Sequence, residues 1–328
     1  MRALNGPEEE RILSVVKNPP GRMPLIPRWD DLFGKHSWVW LWAAFLWASF
    51  SFSPPQAAAD WSPLIDRLVA DGFEDQAVRD LFSRPEVEFD PSAMASKLES
   101  LLKRRAVKPH AVYKSFLRSP VIAEAFSYLQ ANQELLQNIH SRYCVPQEIV
   151  VAILLVETLL GKNVGEKSAF NKLASMALHS DLEAVRSYLP PNLVTTKNED
   201  LARSRCREKA SWAYAELKAL IHYATRSGID PVKIPGSPYG AIGLCQFMPS
   251  NIVAYGVDAD RDGHINLFST PDALHSIGNY LRGHGWKCQM NREAWPKVIF
   301  AYNHSSVYVN TVLAVAEKLR NHRREGTP

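Results

Sequence analysis

Cysteine is scarce in this 328-residue chain, with four residues at positions 144, 206, 245 and 288. No two of them form a Cys-x-x-Cys pair, so zinc-ribbon and thioredoxin-like chemistry fail on spacing. In an oxidising compartment one or two disulfides can form, and the sequence leaves their pairing open. Cys245, inside GLCQF, reads as a small buried hydrophobe. An excess of one charge is also missing. The six basic and five acidic residues before Asp60 leave 32 Lys and Arg against 29 Asp and Glu after it. That balance, without a concentrated basic patch, argues against a nucleic-acid binder. The charge-free apolar run Trp38–Phe52 stops at 15 residues, short of the roughly 20 that a membrane span needs. No apolar alternation is long enough for a sheet, and no internal repeat or low-complexity tract is present.

The run at 38–52 is followed by SPPQAAAD. Ala57-Ala58-Ala59 supplies the small residues of a cleavage site, so residues 1–59 read as a signal peptide or targeting segment cut before Asp60. That places the mature chain in the periplasm. Left uncut, residues 38–52 would anchor it to the inner membrane instead. The residues before Met23 suit a signal peptide poorly, which makes Met23 an alternative start, and no Cys closes the run to carry a lipid.

Apolar residues recurring every three or four positions predict helices over Trp61–Asp71, Phe73–Phe82, Pro91–Arg105 and Ala111–Tyr143. Ser92 is placed to cap the third of these. Leu189–Leu193 (LPPNL) breaks the helical pattern, and Lys197–Lys209 begins a new helix that runs through Trp212–Tyr223. The segment VPQEIVVAILLVETLLG at 145–161 differs from the rest. Ile149–Val156 is apolar on every side and therefore has to be buried. Pro146 suits its start and Gly161 the position just past its end. Glu157 thus falls in or near the last turn, where the helix dipole and the lack of water both disfavour a charged carboxylate. A Glu kept protonated near neutral pH is what a general acid needs. Alone, the same Glu could equally be paired with an Arg or Lys.

Three further blocks follow in order: GSPYGAIGLCQFMPS at 236–250, DADRDGHINL at 258–267 and AYNHS at 301–305. Gly236, Gly240 and Gly243 let backbone approach a ligand or a packed helix. Gln246 offers an amide donor and an acceptor, suited to a sugar's N-acetyl group or to tying the loop to the next helix. Met248 and Pro249 read as packing and helix-start residues. Asp258, Asp260, Asp262 and Gly263 make the first half of a calcium loop, with His264 giving its backbone carbonyl at the seventh place. Ser269 stands where such a loop usually has a bidentate Glu. A solvated acidic turn is the plainer reading of the same residues.

With VET at 156–158, these blocks resemble the lytic murein transglycosylases of the B-type membrane-bound family, in the same order. The likeness runs from about Tyr143 to Leu319, with an unmatched stretch at about 177–210. It implies a mainly α fold, a lysozyme-like catalytic core with an EF-hand-like calcium loop, supported by an N-terminal helical part. The corresponding divisions are residues 60–132 and 133–328. It also implies that Glu157 is the sole catalytic acid/base, and that Ser237, Gln246, Tyr280, Tyr302, Asn303 and Tyr308 line the glycan cleft. Asp272 matches the family carboxylate that stands in for the missing Glu, so a structural Ca2+ would be held by Asp258, Asp260, Asp262, His264 and Asp272. Taken singly, Tyr280 and Tyr308 could also be core aromatics. Only about fifteen residues separate Trp286 from Tyr302, where family members carry a longer insertion, so extended subsites are not expected.

The implied activity is cleavage of the MurNAc-GlcNAc β-1,4 bond of peptidoglycan with a 1,6-anhydromuramoyl product. It requires no organic cofactor and is carried out by a monomer acting on glycan strands. Two other readings compete with it. One is a non-catalytic wall-binding protein that keeps the fold, and the other is a hydrolytic muramidase. Hydrolysis ordinarily takes a second carboxylate. The remaining motif acids are claimed by the calcium loop, and Glu166, between Gly165 and Lys167, reads as solvent-facing.

Overall fold

The computed structural model describes residues 59–103 and 110–325, and among them the chain is almost wholly helical. The targeting segment, its apolar run at 38–52 and the alternative start at Met23 lie outside the described residues. Three short helices come first, α1 (Ser62–Ala70), α2 (Asp75–Phe82) and α3 (Ser92–Leu102). Each start has a carboxylate acceptor. Asp60 accepts from the Ser62 N–H, Glu74 from those of Gln76 and Ala77, and Asp90 from that of Ser92. Ser92 is therefore the first residue of α3 and not its cap. A charged acceptor satisfies the exposed N–H groups of a helix start and also complements its dipole.

The continuous helix expected over 111–143 is broken twice. A 3-10 turn at Lys114–Leu117 precedes α4 (Ser119–Ala131), and α5 (Gln133–Tyr143) follows. Pro120 is tolerated only in a first turn, and Arg118 ahead of it is extended. Asn132 separates α4 from α5, and its side-chain amide donates to the Tyr128 carbonyl at 2.9 Å.

All twelve residues of α6 (Gln147–Thr158) are buried, as a helix without a polar stripe demands. The chain turns through 111° between α5 and α6, at Cys144, which has a left-handed backbone. No single described helix is long and apolar enough to cross a membrane. Next come β1 (Lys167–Ser168), α7 (Ala169–Leu178), the short α8 (Leu182–Arg186) and the 28-residue α9 (Glu199–Arg226). The LPPNL segment lies between α8 and α9, without helix. The remaining elements are a 3-10 turn at Pro231–Lys233, β2 (Pro235–Gly236), α10 (Pro249–Tyr255), α11 (Thr270–Gly283), another 3-10 turn at Arg292–Ala294, α12 (Trp295–Tyr302) and α13 (Ser306–Glu325). Tyr302 and Tyr308 thus belong to different helices, because Asn303 between them is extended.

One hydrophobic cluster runs from Trp61 to Leu319, so the helices before residue 133 share a core with those after it. Polar ties reinforce the join. Lys172 of α7, 7 % exposed, pairs with Asp90, while Arg84 pairs with Asp230 at 2.7 Å and Lys218 with Asp71 at 2.6 Å. Cys144 and Cys288 form a disulfide, and the Trp286 indole N–H donates to the Cys144 carbonyl at 3.0 Å. Cys206 and Cys245 are buried thiols. Among the described residues the sheet is a two-residue antiparallel ladder in which Lys167 faces Gly236 and Ser168 faces Pro235. It pins the loop that follows β2 beside the end of α6.

Candidate active site

Glu157 is the penultimate residue of α6 and is 4 % exposed. The chain leaves this helix through three successive left-handed residues, Leu159 (φ 52°), Leu160 (φ 61°) and Gly161 (φ 93°). A non-glycine residue in that region costs about 1–3 kcal/mol and persists only where its surroundings over-determine it. Here they do. Leu159 and Leu160 donate to the carbonyls of Leu155 and Leu154, closing the helix as a left-handed C-terminal cap. The Thr158 hydroxyl donates to the Leu244 carbonyl at 2.8 Å and accepts from the Gly161 N–H at 3.1 Å. The last turn, and with it Glu157, is locked to the loop opposite.

That loop is folded on itself. Ile242 and Phe247 exchange backbone hydrogen bonds, and the turn between them holds Gln246 at φ 52°. Gly243, at φ 74°, has no space for a side chain, since a Cβ would lie 2.5 Å from Leu267. The close approach is to protein, not to a ligand. Gln246 donates through its amide nitrogen to the Gly243 carbonyl at 2.9 Å and the Val164 carbonyl at 3.2 Å. It therefore ties the loops together while also facing the site.

Glu157, Gln246, Phe247, Met248, Asn251, Tyr280 and Tyr302 line a cavity of about 10 Å³, roughly one water molecule in size. Glu157 is the only carboxylate in that lining, and no Lys, Arg or His belongs to it. The two tyrosine hydroxyls are spent on backbone, Tyr302 donating to the Cys245 carbonyl at 2.6 Å and Tyr280 to the Ala301 carbonyl at 2.8 Å. Their rings meet edge to face at 4.9 Å, and Phe247 packs 5.3 Å from Tyr280 and 5.8 Å from Tyr302. Burial raises both phenol pKa values first. Tyr255 adds to it for Tyr280 and Cys245 for Tyr302, and the Glu157 carboxylate acts on both. Both remain neutral donors.

Of the residues expected to bind substrate, Gln246, Tyr280 and Tyr302 share the cavity with Glu157, whereas Ser237, Asn303 and Tyr308 are absent from its lining. The Ser237 hydroxyl accepts from the N–H groups of Tyr239 and Ala241. Tyr308 is fully buried behind Tyr302, its ring nearly parallel at 6.3 Å. Asn303 is also fully buried, and neither of its amide atoms has a hydrogen-bond partner among the described residues. Such a group calls for an explanation, and a bound water or a polar ligand group would supply one. Phe247, Met248 and Asn251 were missed. They lie in or just after the block that contains Gln246, where Met248 read as packing. Glu166 is exposed, as expected.

Beside α11, Asp258, Asp260 and Asp272 each offer an oxygen within 4.8 Å of the others. Backbone N–H groups preset them. Gly263 donates to Asp258 Oδ2, and Ala259 and Asn266 donate to the two oxygens of Asp272. Asp258 Oδ1 is buried with no partner among the described residues. The Asp262 N–H pulls the Asp260 carboxyl down, but desolvation and the carboxylates of Asp272, Asp262 and Asp258 outweigh it, and the net shift is upward. This set fits a hard divalent cation. Asp262 and His264 stand outside the trio, and the Asp262 carboxylate accepts from the His264 N–H at 2.8 Å.

The helical frame with one buried acid at the end of its central helix is lysozyme-like. A family model described as a transglycosylase SLT domain matches residues 56–295, and the chain belongs to that family. Over 238 residues it is 27 % identical to membrane-bound lytic murein transglycosylase B of Escherichia coli (strain K12), covering 68 % of this chain and 56 % of that protein. The chain thus spans little more than half the length of that relative. The soluble lytic transglycosylase SltB1 of Pseudomonas aeruginosa superimposes with a TM-score of 0.63 at 23 % identity, over 80 % of this chain and 99 % of that one. The Escherichia coli lytic transglycosylase Slt35, in complex with calcium, does so with a TM-score of 0.63 at 20 % identity, over 82 % and 95 %.

Proposed function

We propose that this protein is a periplasmic peptidoglycan lytic transglycosylase that cleaves the MurNAc-GlcNAc β-1,4 bond and closes a 1,6-anhydro ring on the muramoyl end. The observation that carries the reading is the composition of the cavity, in which Glu157 is the only carboxylate. Without a second acid nothing is placed to activate water or to form a covalent glycosyl-enzyme. Glu157 protonates the glycosidic oxygen as the bond to the muramoyl C1 breaks. The sugar's own N-acetyl group stabilises the oxocarbenium-like centre, steadied by the side-chain oxygen of Gln246, with Asn303 acting from behind the cavity lining. The Glu157 carboxylate then takes the proton of the C6 hydroxyl as O6 bonds to C1, which returns the acid to its starting state. Tyr280 and Tyr302 wall the reacting ring, with Tyr308 behind them, and Ser237 shapes the loop at the cleft.

Calcium, when bound, supplies charge neutralisation that braces the core beside the cleft. Asp258, Asp260 and Asp272 would hold it, with Asp262 and the His264 carbonyl completing the loop. The structure of Slt35 in complex with calcium supports this assignment. Residues 60–132 would serve as the supporting helical part and 133–328 as the catalytic core. The protein would work as a monomer on glycan strands. The test is to incubate purified protein with peptidoglycan and weigh the released fragments. Ends lighter by one water support the reading, hydrated ends support a muramidase, and no release supports a wall-binding protein.

A further inference from the structure

Hydrogen-bond donors in the cavity are nearly all committed. The Tyr302 and Tyr280 hydroxyls donate to the Cys245 and Ala301 carbonyls, and the Gln246 amide donates to the Gly243 and Val164 carbonyls. Phe247 and Met248 are apolar, and a carboxylic acid about to protonate the leaving oxygen is not a positioning donor. One side chain is left. Asn251 lines the same cavity from the first turn of α10, and among the described residues none accepts a hydrogen bond from its amide. Its backbone is fixed from two sides. The Asn251 N–H donates to the Met248 carbonyl at 2.8 Å, and the buried Glu216 of α9 accepts from both the N–H and the hydroxyl of the adjacent Ser250. An amide on so firmly held a turn loses little freedom when it binds.

We propose that Asn251 is a substrate-positioning residue, whose side-chain N–H donates to a neutral oxygen of the sugar that enters the cavity, an N-acetyl carbonyl or a ring hydroxyl. The inference rests on the glycan-cleaving reading above and adds a role for a residue that reading does not use. A sugar oxygen brought against Glu157 without this donor would lose a water-facing hydrogen bond and gain none, and a buried polar group left unmatched is penalised.

The test is steady-state turnover of soluble uncrosslinked glycan strands by wild type, Glu157→Gln, Asn251→Ala, Asn251→Asp and Asn251→Ser, with thermal melting of each. Asn251→Ala should melt as wild type does and lose about five- to tenfold in kcat/KM. Asn251→Asp keeps the size but has no donor at neutral pH and should lose at least as much, whereas Asn251→Ser, a shorter donor, should recover part. Wild-type kcat/KM in Asn251→Ala or Asn251→Asp overturns the inference while leaving the glycan reading intact. A wild-type protein no more active than Glu157→Gln overturns that reading and the inference with it.

Discussion

Replacing Glu157 with Gln should abolish turnover and leave the fold intact. Gln matches the size of Glu but has no proton to give, and the same carboxylate is asked to act first as acid and then as base. General acid–base catalysis contributes about 10²–10⁴-fold, so a loss at the upper end or beyond is expected. Stability is the control. Glu157 is 4 % exposed in the last turn of α6, and Gln fills the same volume there. For a protein of this size each kcal/mol moves the melting temperature by roughly 2–4 °C, so a variant that melts within a few degrees of wild type has kept the packing of α6. Differential scanning calorimetry and a peptidoglycan-clearing assay on the same preparation give both numbers. A Glu whose role is structural would lose stability instead. A variant that melts several degrees lower, or that still clears peptidoglycan at the wild-type rate, would refute the reasoning.

Calcium should raise the melting temperature, as any ligand bound by the native state alone must. Asp258→Ala should abolish that rise, whereas Asp262→Ala should retain part of it. The Asp260 carboxyl is held above its ordinary value, so in metal-free protein its contribution favours the folded state below its unfolded pKa and is lost as pH rises through the folded one. Calcium counters the repulsion that appears on ionisation, and its effect on melting should therefore be largest near neutral pH and fade as pH falls through the carboxylate range. Asp90→Ala strands the buried Lys172 ammonium and should cost about 3–5 kcal/mol in urea unfolding, loosening the N-terminal helices from α7. Replacing Cys144 and Cys288 by Ser opens a loop with a sequence separation of 144 residues and should cost about 2–5 kcal/mol. An unchanged urea midpoint in either variant would contradict the corresponding packing argument.

The site was legible where the chemistry forces a pattern in the chain. Ile149–Val156 could only be a buried helix, and a Glu at its end is conspicuous because nothing else there is polar. Asp258, Asp260 and Gly263 announce themselves by spacing. What stayed hidden depends on contacts distant in sequence. The β1–β2 ladder is two residues long and comes from loop closure, so no alternation marks it. Ser92 looked like a cap because the sequence does not show that Asp90, already drawn in by Lys172, accepts from the N–H of Ser92 itself. The commitment of the Gln246 amide to Val164 could not be read from GLCQF. Asn303 shares a motif with Tyr302, yet its extended backbone ends α12 there and leaves Asn303 buried outside the cavity lining. Asn251 was overlooked because its neighbours Met248 and Pro249 explained the segment well enough without it.

Digestion of peptidoglycan in ¹⁸O-labelled water tests the central claim most directly. With Glu157 as the only carboxylate in the cavity, O6 of the sugar and not water must close on C1. The account predicts 1,6-anhydromuropeptides whose new termini carry no label. Labelled reducing ends would contradict it, because they would require a water-activating group that this cavity does not hold.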